Sequence, residues 1–594
     1  ERAGTMLERA GTQLQHAGSN LGLQRASTLP TESRELRHAA TMPITYDMES
    51  VRPCCGGLWK VQQLFGFILG LSLLVILWAA APIGTHPGAN PMLGITLMCG
   101  IFWVFEVAPI YITALIPLLL MPLFEIVGTK IAAGAYWNQI QMLVIGTYLV
   151  DIALEECHLP RRAALKLLLC TGVVQPPLLL LAFMGVCWVF AMFANNIAVT
   201  LMITPFAISL MNAAEEQARD EAAARSDSED TDDSNDNEDM TAAEVRRFSN
   251  GLLLGIAFAS TAGGMTTLTG TIVNEVLYGV GELRNHITYG EFIRFAILPS
   301  LATFILAYFV IYVRYVRGLT LRTMTHEVLE SEYEELLKDI GPFSRDEMIV
   351  AFLQFVQFTL LMCTPLIAAA TETDYGQQYV GDPTLAAIPA ILLFFIPSAI
   401  HPGQALLTWP AVHDKFDFGL LLLIGGGFAI STGISNSGLN EDIGAALAGL
   451  TEGAHPFTIN LAIILVVSFC AQMFSTIGTA TTLLPILYSV SQEAIRNPYA
   501  LVLPATLACS FAFMLPTATP SNVVVLAKSQ DLYPPLRIRD FFCTGLPLTL
   551  LTVVISGALI FWRANGVFDS EAPFPKWACD NVYATWVNVP GYTH

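Results

Sequence analysis

Two clusters of threonine and asparagine with the same spacing, T-x-T-x-x-N, lie far apart in this chain, at Thr269–Asn274 and Thr517–Asn522. Each follows a polar tip between apolar runs: Asn195-Asn196 begins 74 residues before the first cluster, and Ser475-Thr476 begins 42 residues before the second. Threonine hydroxyls and asparagine amide oxygens are neutral ligands that suit Na⁺ when free backbone carbonyls lie beside them. The two clusters therefore predict two cation sites of similar build.

The apolar helices that carry these clusters are predicted to be broken. Gly263-Gly264 precedes the first cluster, and Pro516 immediately precedes the second. Broken backbone is stable at membrane depth only where protein or water satisfies its amides and carbonyls. Paired interruptions in two similar halves are the sequence mark of a secondary transporter. The two gaps differ by 32 residues, close to the length of an acidic insert at 213–247, so the halves nearly superimpose without that insert.

Composition requires a membrane environment for most of the chain. Of 594 residues, 54% are hydrophobic and only 13% are charged, with a mean hydropathy of +0.56, whereas soluble proteins carry about 25% charge. We predict an integral, multi-pass protein of the lipid bilayer. This excludes a soluble enzyme, a nucleic-acid-binding protein and a secreted disulfide scaffold. The 11 cysteines have the spacing of neither a zinc site nor a disulfide framework.

Apolar runs and basic residues predict the topology. They indicate an all-α fold of about 11 transmembrane helices with two re-entrant hairpins, an inverted repeat and a cytoplasmic N-terminus. The expected location is the plasma membrane, with an organellar membrane as the alternative. The predicted segments are a disordered cytoplasmic tail (1–58), the first part of repeat 1 with its hairpin (59–212), an acidic cytoplasmic loop (213–247), the second part of repeat 1 with a broken helix (248–316), a cytoplasmic linker (317–347), repeat 2 with the second hairpin and broken helix (348–563) and an extracytoplasmic tail (564–594). The acidic loop is expected to be disordered because of its Ser, Asp, Asn and Glu content.

With these motifs the chain resembles the divalent anion:sodium symporters, the family of sodium-coupled dicarboxylate, citrate and sulfate transporters. The similarity runs from about Val61 to Trp577 and is carried by segments 154–165, 263–271, 425–429 and 510–520. The resemblance implies an elevator-type transporter, a homodimer and two hairpin tips that bind the substrate and Na⁺. It implies no cofactor, with Na⁺ as the coupling ion.

The chain departs from the family's pattern at the tips and beside the first cluster. Family tips carry Ser-Asn-Thr, whereas the tips here read Asn195-Asn196-Ile197 and Ser475-Thr476-Ile477. Ile272 stands where the family usually has a glycine beside the substrate, and we expect its branched side chain to narrow the pocket against a bulky tricarboxylate. Glu275 replaces an apolar residue, and it is expected either to couple a proton or to reach the outer interface.

We therefore predict a secondary active transporter, not an enzyme, that couples Na⁺ to small divalent anions, with di- and tricarboxylates as substrates. Its partners are the anion, Na⁺, the bilayer and a second copy of the chain, with no nucleic acid. The residues assigned to substrate contact are Asn195, Asn196, Thr271, Ile272, Ser475, Thr476 and Thr519. The first Na⁺ site is assigned to Asn196, Thr269, Gly270 and Asn274, and the second to Ser475, Thr476, Thr517, Ala518 and Asn522.

Other functions are compatible with the same residues. A Na⁺- or H⁺-coupled transporter of an inorganic oxyanion, such as sulfate or phosphate, would suit the altered tips. An anion channel or a transport-dead sensor would share the fold. An intramembrane enzyme lacks support, because the chain has no H-E-x-x-H or G-x-S-x-G motif.

Three acidic residues and one glycine run carry weaker predictions. Asp151, Glu155 and Glu156 fall near the end of an apolar run, so they are expected at the membrane interface. Gly425-Gly426-Gly427 is expected to allow close helix packing, because neither a strand nor a lysine accompanies it at the spacing of a phosphate-binding loop.

Overall fold

A computed structural model describes residues 61–80, 86, 88–105, 107–157, 159, 162, 175–226, 234–281, 283–319, 343–371, 380–443, 455–531 and 535–579. Within these ranges the fold is helical, and strand-like pairing is limited to one isolated bridge between Pro397 and Ala405. The predicted tail 1–58 lies outside the described residues, as do most of the linker 317–347 and the end of the C-terminal tail.

The α-helices of the described part are α1 (Val61–Ala79), α2 (Ala89–Val104), α3 (Ile110–Thr113), α4 (Ile116–Leu123), α5 (Thr129–Ala135), α6 (Gln139–Glu156), α7 (Pro176–Phe190), α8 (Asn196–Ser226), α9 (Ser234–Gly264), α10 (Ile272–Tyr278), α11 (Leu283–His286), α12 (Tyr289–Ile311), α13 (Arg345–Met362), α14 (Thr364–Thr371), α15 (Asp382–Phe395), α16 (Trp409–Lys415), α17 (Phe418–Ser437), α18 (Pro456–Phe474), α19 (Thr476–Glu493), α20 (Pro498–Cys509), α21 (Pro520–Lys528), α22 (Ile538–Leu551) and α23 (Gly557–Phe568). Short π-helical segments follow α12 and α22.

The helices are suited to a bilayer. In the described residues, six helical ranges are long and apolar enough to cross a membrane, and five shorter apolar helices accompany them. The outward face of α1 leaves more than half of each of Phe65, Ile68 and Trp78 exposed. A continuous apolar surface of this kind is stable against lipid chains rather than water. The prediction of a multi-pass membrane protein is confirmed, whereas the number of crossings stays a prediction.

Both polar tips turn the chain back on itself. α7 ends at Phe190 and α8 begins at Asn196, because Asn195 Oδ1 accepts the Ile197 amide at 2.9 Å and satisfies a free donor of the first turn. The 15 residues of α7 give a length of about 22 Å, shorter than the ~30 Å hydrocarbon core. The second helix of the hairpin contains a range, Asn196–Glu216, that is long and apolar enough to cross a membrane, so the re-entrant form stays a prediction. The second hairpin, formed by α18 and α19, turns at Ser475.

Each hairpin is followed by a helix that is broken in the middle. Residues 265–271 separate α9 from α10, and residues 510–519 separate α20 from α21. The second break contains a 3₁₀ turn at Pro516–Ala518, where proline removes a backbone donor and cannot continue the preceding helix. The T-x-T part of each cluster lies in a break, and the asparagine lies in the first turn of the short helix that follows.

The two halves of the chain interlock around these breaks. α10, the short arm of the first broken helix, packs against α19 of the second hairpin, and α21 packs reciprocally against α8 of the first hairpin. Within each half, the second helix of the hairpin also packs on the long arm of its own broken helix. A structural repeat produces this reciprocal arrangement. The packing between the halves brings both tips and both breaks into one region.

The acidic segment 213–247 differs from the predicted disordered loop. α8 continues to Ser226 and α9 starts at Ser234, so helix enters the segment from both sides. The physical reason is composition, because residues 213–226 are rich in Ala, Glu, Gln and Arg, which favour helix. Arg246 Nη2 lies 2.9 Å from Glu215 Oε1 and joins the two helices where they meet.

The glycine run of α17 allows close packing, as expected. A Cβ at Gly425 would lie 2.7 Å from Tyr136 Cα, and a Cβ at Gly426 would lie 2.8 Å from Ala114 Cβ. A Cβ at Gly427 would lie 2.5 Å from Thr481 Cβ, in the helix that follows the second tip. Side chains are not tolerated at such distances, so the role of this run in helix packing is confirmed.

Candidate cation and substrate site

Asn274 holds the first break together from inside. Its Nδ2 donates to the backbone carbonyls of Thr267 at 2.7 Å, Gly264 at 3.2 Å and Met265 at 3.3 Å. The side chain is fully buried, and its Oδ1 has no hydrogen-bond partner among the described residues. A buried amide oxygen without a partner costs stability unless a ligand satisfies it. Asn274 therefore offers an unused acceptor beside unwound backbone, which is suitable for a cation.

Asn522 repeats this arrangement in the second break. Its Nδ2 donates to the carbonyls of Leu515 at 3.1 Å and Ala512 at 3.4 Å. These carbonyls lie seven and ten residues before the asparagine, the same separations that join Asn274 to Thr267 and Gly264. Asn522 is also fully buried, and its Oδ1 likewise has no partner in the described part of the chain. The repeated T-x-T-x-x-N sequence therefore forms these two hydrogen bonds in both halves.

The first tip packs directly on the first break. The Asn196 amide donates to the Gly270 carbonyl at 3.1 Å, and Thr267 Oγ1 donates to the Met192 carbonyl at 2.7 Å. A Cβ on Gly270 would lie 2.7 Å from the carbonyl oxygens of both Ala191 and Gly264. Glycine is therefore required at this crossing, and the tip and the loop form one rigid unit.

The second tip is anchored by a side chain that precedes it. Gln472 Nε2 donates to the Phe511 carbonyl at 2.8 Å, and Gln472 Oε1 accepts the Met514 amide at 3.0 Å. Ala471, Ala512 and Ala518 form a small buried cluster in which the backbone of the tip meets the break. These three alanines occupy the positions that Ala191, Gly264 and Gly270 occupy in the first half. In both halves a small residue is needed because the hairpin approaches the break closely.

Ser475 has an unusual backbone conformation. Its φ of +73° and ψ of 148° lie in a region that favours glycine, and a residue with a side chain pays about 1–3 kcal/mol to stay there. Such strain persists only where the surrounding structure imposes it, and it is typical of binding sites. The strained backbone of the half-buried Ser475 makes the second tip a candidate binding segment.

The predicted site residues are brought close to the tips and breaks, with differing exposure. Those buried are Asn195, Asn196, Gly270, Thr271, Ile272, Asn274, Thr476, Ala518, Thr519 and Asn522. Thr269 and Ser475 are half-buried, and Thr517 is exposed. Thr519 Oγ1 accepts the Asn522 amide at 3.2 Å, so this hydroxyl oxygen also caps α21. The assignment of individual residues to Na⁺ or to the anion stays a prediction.

Two carboxyls are more deeply buried than predicted. Glu275 is only 4% exposed, and its Oε1 accepts a hydrogen bond from Thr147 Oγ1 at 2.9 Å, so it is enclosed by protein. Asp151 is 6% exposed, and its Oδ2 accepts the Asn195 amide at 3.2 Å, so it is enclosed as well. The physical reason is tertiary, because both carboxyls lie where α6 packs against the first tip and α10. The depth of both carboxyls relative to the membrane interface stays a prediction. Glu155 and Glu156, at the end of α6, each form an ion pair with Lys415.

Sequence reasoning missed further polar groups around the site. Thr479 Oγ1 and Ser521 Oγ are buried without a partner among the described residues, the first in α19 close to the second tip and the second beside Asn522. Gln472 and Thr147 also escaped notice. A polar residue close in the chain to a tip or a break was the available signal for Thr479, Ser521 and Gln472, whereas Thr147 in α6 offered only a polar residue inside an apolar helix.

Comparison with known proteins identifies the family. The family model described as the sodium:sulfate symporter transmembrane region matches residues 61–567. The chain is 31% identical to solute carrier family 13 member 2 of Oryctolagus cuniculus, over 89% of this chain and 97% of that one. It is 29% identical to the sodium-dependent low-affinity dicarboxylate transporter 1 of Caenorhabditis elegans, over 81% of this chain and 87% of that one.

A citrate transporter is among the relatives. The chain is 28% identical to the Na⁺/citrate cotransporter of Rattus norvegicus, over 82% of this chain and 92% of that one. The match to residues 61–567 spans both hairpins, both broken helices and both asparagines with an unused Oδ1. The chain therefore belongs to the sodium:sulfate symporter family, whose members are membrane transporters and not enzymes.

Proposed function

We propose that this protein is a Na⁺-coupled symporter of small dicarboxylates and tricarboxylates. The observation that carries the proposal is the repeated asparagine. Asn274 and Asn522 bind unwound carbonyls with identical separations, and their Oδ1 atoms have no partner among the described residues. The similarity to dicarboxylate and citrate transporters supports the substrate class. The same arrangement also fits a carrier of an inorganic oxyanion, which is the second candidate.

The two breaks would hold the cations, and the two tips would hold the anion. In the first site, Asn274 Oδ1 and carbonyls of the 265–271 loop supply neutral oxygens, and Asn522 and the 510–519 loop supply them in the second. Each Na⁺ adds a positive charge beside the anion in a medium of low dielectric constant, where the attraction is several-fold stronger than in water. Cation binding therefore stabilises the substrate-loaded state, and this differential binding is the coupling.

Uptake into proteoliposomes tests the proposal. Labelled succinate, citrate and sulfate would be offered with an inward Na⁺ gradient and, in parallel, with choline replacing Na⁺. We expect succinate uptake to require Na⁺. Uptake of sulfate alone would select the oxyanion candidate, and anion flux that is equal in choline would contradict the two cation sites and favour a channel.

Ile272 is expected to set the size limit of the substrate. It opens α10 beside Thr271 and is 3% exposed, so its branched side chain is buried where the first break ends. Ile272→Ala should raise citrate uptake relative to succinate uptake by about tenfold, because each methylene in a pocket is worth roughly 1–3 kcal/mol of discrimination. The measurement is the ratio of kcat/KM for the two acids. Ile272→Val is the control, and an unchanged ratio in Ile272→Ala would place the size filter elsewhere.

Glu275 is proposed to carry a proton. In the described part of the chain no Lys or Arg forms an ion pair with it, and an unpaired carboxylate at this depth is costly and would repel the anion. Glu275→Gln keeps an acceptor for Thr147 but removes the ionisable group. We expect an inward proton gradient to increase uptake by the wild type at fixed Na⁺, and the variant to lose this response. An equal response in both would show that Glu275 is not the coupling group.

The proposed assembly is drawn from the family resemblance, and the proposed orientation is drawn from the distribution of basic residues. We propose a homodimer in the plasma membrane with a cytoplasmic N-terminus. Light scattering of the detergent-solubilised protein would give the mass of the assembly, and labelling of cysteines introduced on either side of the membrane would give the orientation.

A further inference from the structure

One face of α6 carries two polar side chains that the proposed cation and substrate residues do not include. Thr147 and Asp151 are four residues apart and therefore lie on the same side of the helix. Both are buried, with 5% and 6% of their surfaces exposed, and most of their buried neighbours on α6 are apolar. A carboxyl at this depth is costly unless it makes a specific contact. We call this pair the polar face of α6.

Thr147 contacts the residue that follows the proposed cation ligand Asn274. Its Oγ1 lies 2.9 Å from Glu275 Oε1, 128 positions away in the chain, and this is the shortest of its three contacts, the others being carbonyls of its own helix at 3.1 Å. Glu275 directly follows Asn274 in α10, the helix whose first turn presents the unused Oδ1. The contact therefore fixes α10 against α6, close to the cation ligand.

Asp151 contacts the first tip. Its Oδ2 accepts the Asn195 amide at 3.2 Å, which is one of the donors left free at the start of a helix. The next amide, that of Asn196, donates to the Gly270 carbonyl in the first break. The register of the first tip on the break thus depends on where Asp151 holds Asn195.

We propose that Thr147 and Asp151 are positioning residues for the first Na⁺ site. One turn of α6 holds the two segments that supply its ligands, α10 through Glu275 and the first tip through Asn195, at a fixed separation. Na⁺ requires oxygens at set distances, so loosening either segment lowers the affinity for Na⁺. The inference rests on the proposed function, because it assigns a role within the cation site of a Na⁺-coupled carrier.

Paired substitutions test the positioning role. Asp151→Leu and Thr147→Val remove the hydrogen bonds, whereas Asp151→Asn keeps an acceptor for the Asn195 amide and Thr147→Ser keeps the hydroxyl. We expect the first two variants to raise the Na⁺ concentration for half-maximal uptake by about tenfold, the equivalent of one lost hydrogen bond. The two conservative variants should stay within about threefold of the wild type on the same scale. Thr96→Val is the control, because the Thr96 hydroxyl bonds only the Met92 carbonyl of its own helix, α2.

A second readout separates this inference from the proposed function. The melting temperature of the purified protein is measured against Na⁺ concentration, since a ligand that binds the folded state stabilises it. If the wild type shows neither Na⁺-dependent uptake nor Na⁺-dependent stabilisation, the proposed function fails. If the wild type shows both and Asp151→Leu and Thr147→Val share its Na⁺ midpoints, only the positioning role is overturned. An equal loss of Na⁺ affinity in Asp151→Asn and Asp151→Leu would also overturn the positioning role, since the charge of Asp151 rather than its hydrogen bond would then matter.

Discussion

Replacement of Asn274 or Asn522 by alanine is expected to reduce Na⁺-driven uptake by more than 100-fold. Each substitution removes an amide that binds two or three carbonyls of a break, and it also removes the free Oδ1 offered to the cation. Each buried carbonyl left unsatisfied costs about 1–3 kcal/mol, so two such losses cost about 2–6 kcal/mol together, a range that includes the roughly 2.7 kcal/mol of a 100-fold effect. The loss of the cation ligand adds to this cost. The measurements are initial uptake rates per folded molecule and the rise in melting temperature with Na⁺.

A third buried asparagine supplies the control. Asn460 in α18 is 3% exposed, donates to the Gly557 carbonyl at 3.3 Å and also has an Oδ1 without a partner in the described residues. Asn460→Ala should therefore lower stability by a similar mechanism while the Na⁺ dependence of uptake is retained. If Asn274→Ala and Asn522→Ala behaved like Asn460→Ala, the two asparagines would be structural and the cation sites would lie elsewhere.

Gly427→Ala is expected to cause the second large loss. The added Cβ would overlap the carbonyl oxygen of Thr481 and lie 2.5 Å from its Cβ, at the contact of α17 with α19. Because backbone atoms cannot rotate away, the helices must separate, which costs about 1–3 kcal/mol or more. Displacement of α19 also moves the second tip at its N-terminus. We expect a lower melting temperature and an uptake rate at least tenfold lower. A tenfold change corresponds to a free-energy difference of about 1.4 kcal/mol.

A glycine in open space provides the matched comparison. Gly100 lies in α2, and a Cβ there would meet no atom within 4 Å. Gly100→Ala should be neutral or stabilising by up to about 1 kcal/mol, because alanine favours helix over glycine. If Gly427→Ala were equally harmless, the close approach of α17 and α19 would have to be absent from the working protein.

Much of the candidate site could be predicted from local patterns. The breaks lie at the predicted glycine pair and proline, and the turns lie at the predicted polar tips, because these residues disfavour the helix interior. The preference is not absolute, since Pro205, Pro299 and Pro485 lie inside helices. The equivalence of the two halves also follows from spacing alone. Asn274 and Asn522 do occupy equivalent positions, each bonding the carbonyls seven and ten residues before it.

Local patterns failed where the outcome depends on distant partners. The sequence did not show that protein encloses Asp151, because its partner Asn195 lies 44 residues away. Glu275 is buried by Thr147, a residue 128 positions earlier. The acidic segment shows the converse error, because its charge suggested disorder while its Ala- and Glu-rich ends favour helix.

The sequence by itself determined the membrane class, the two hairpins, the two broken helices and the residues that pair across the repeat. Each of these depends on composition or on backbone preferences that act over a few residues. Only the tertiary structure decided which carbonyls each asparagine holds, which amide oxygens stay free and which face of α6 meets the first tip. Those outcomes depend on packing between segments far apart in the chain, where a polar group is stable at depth only if a partner from another helix reaches it.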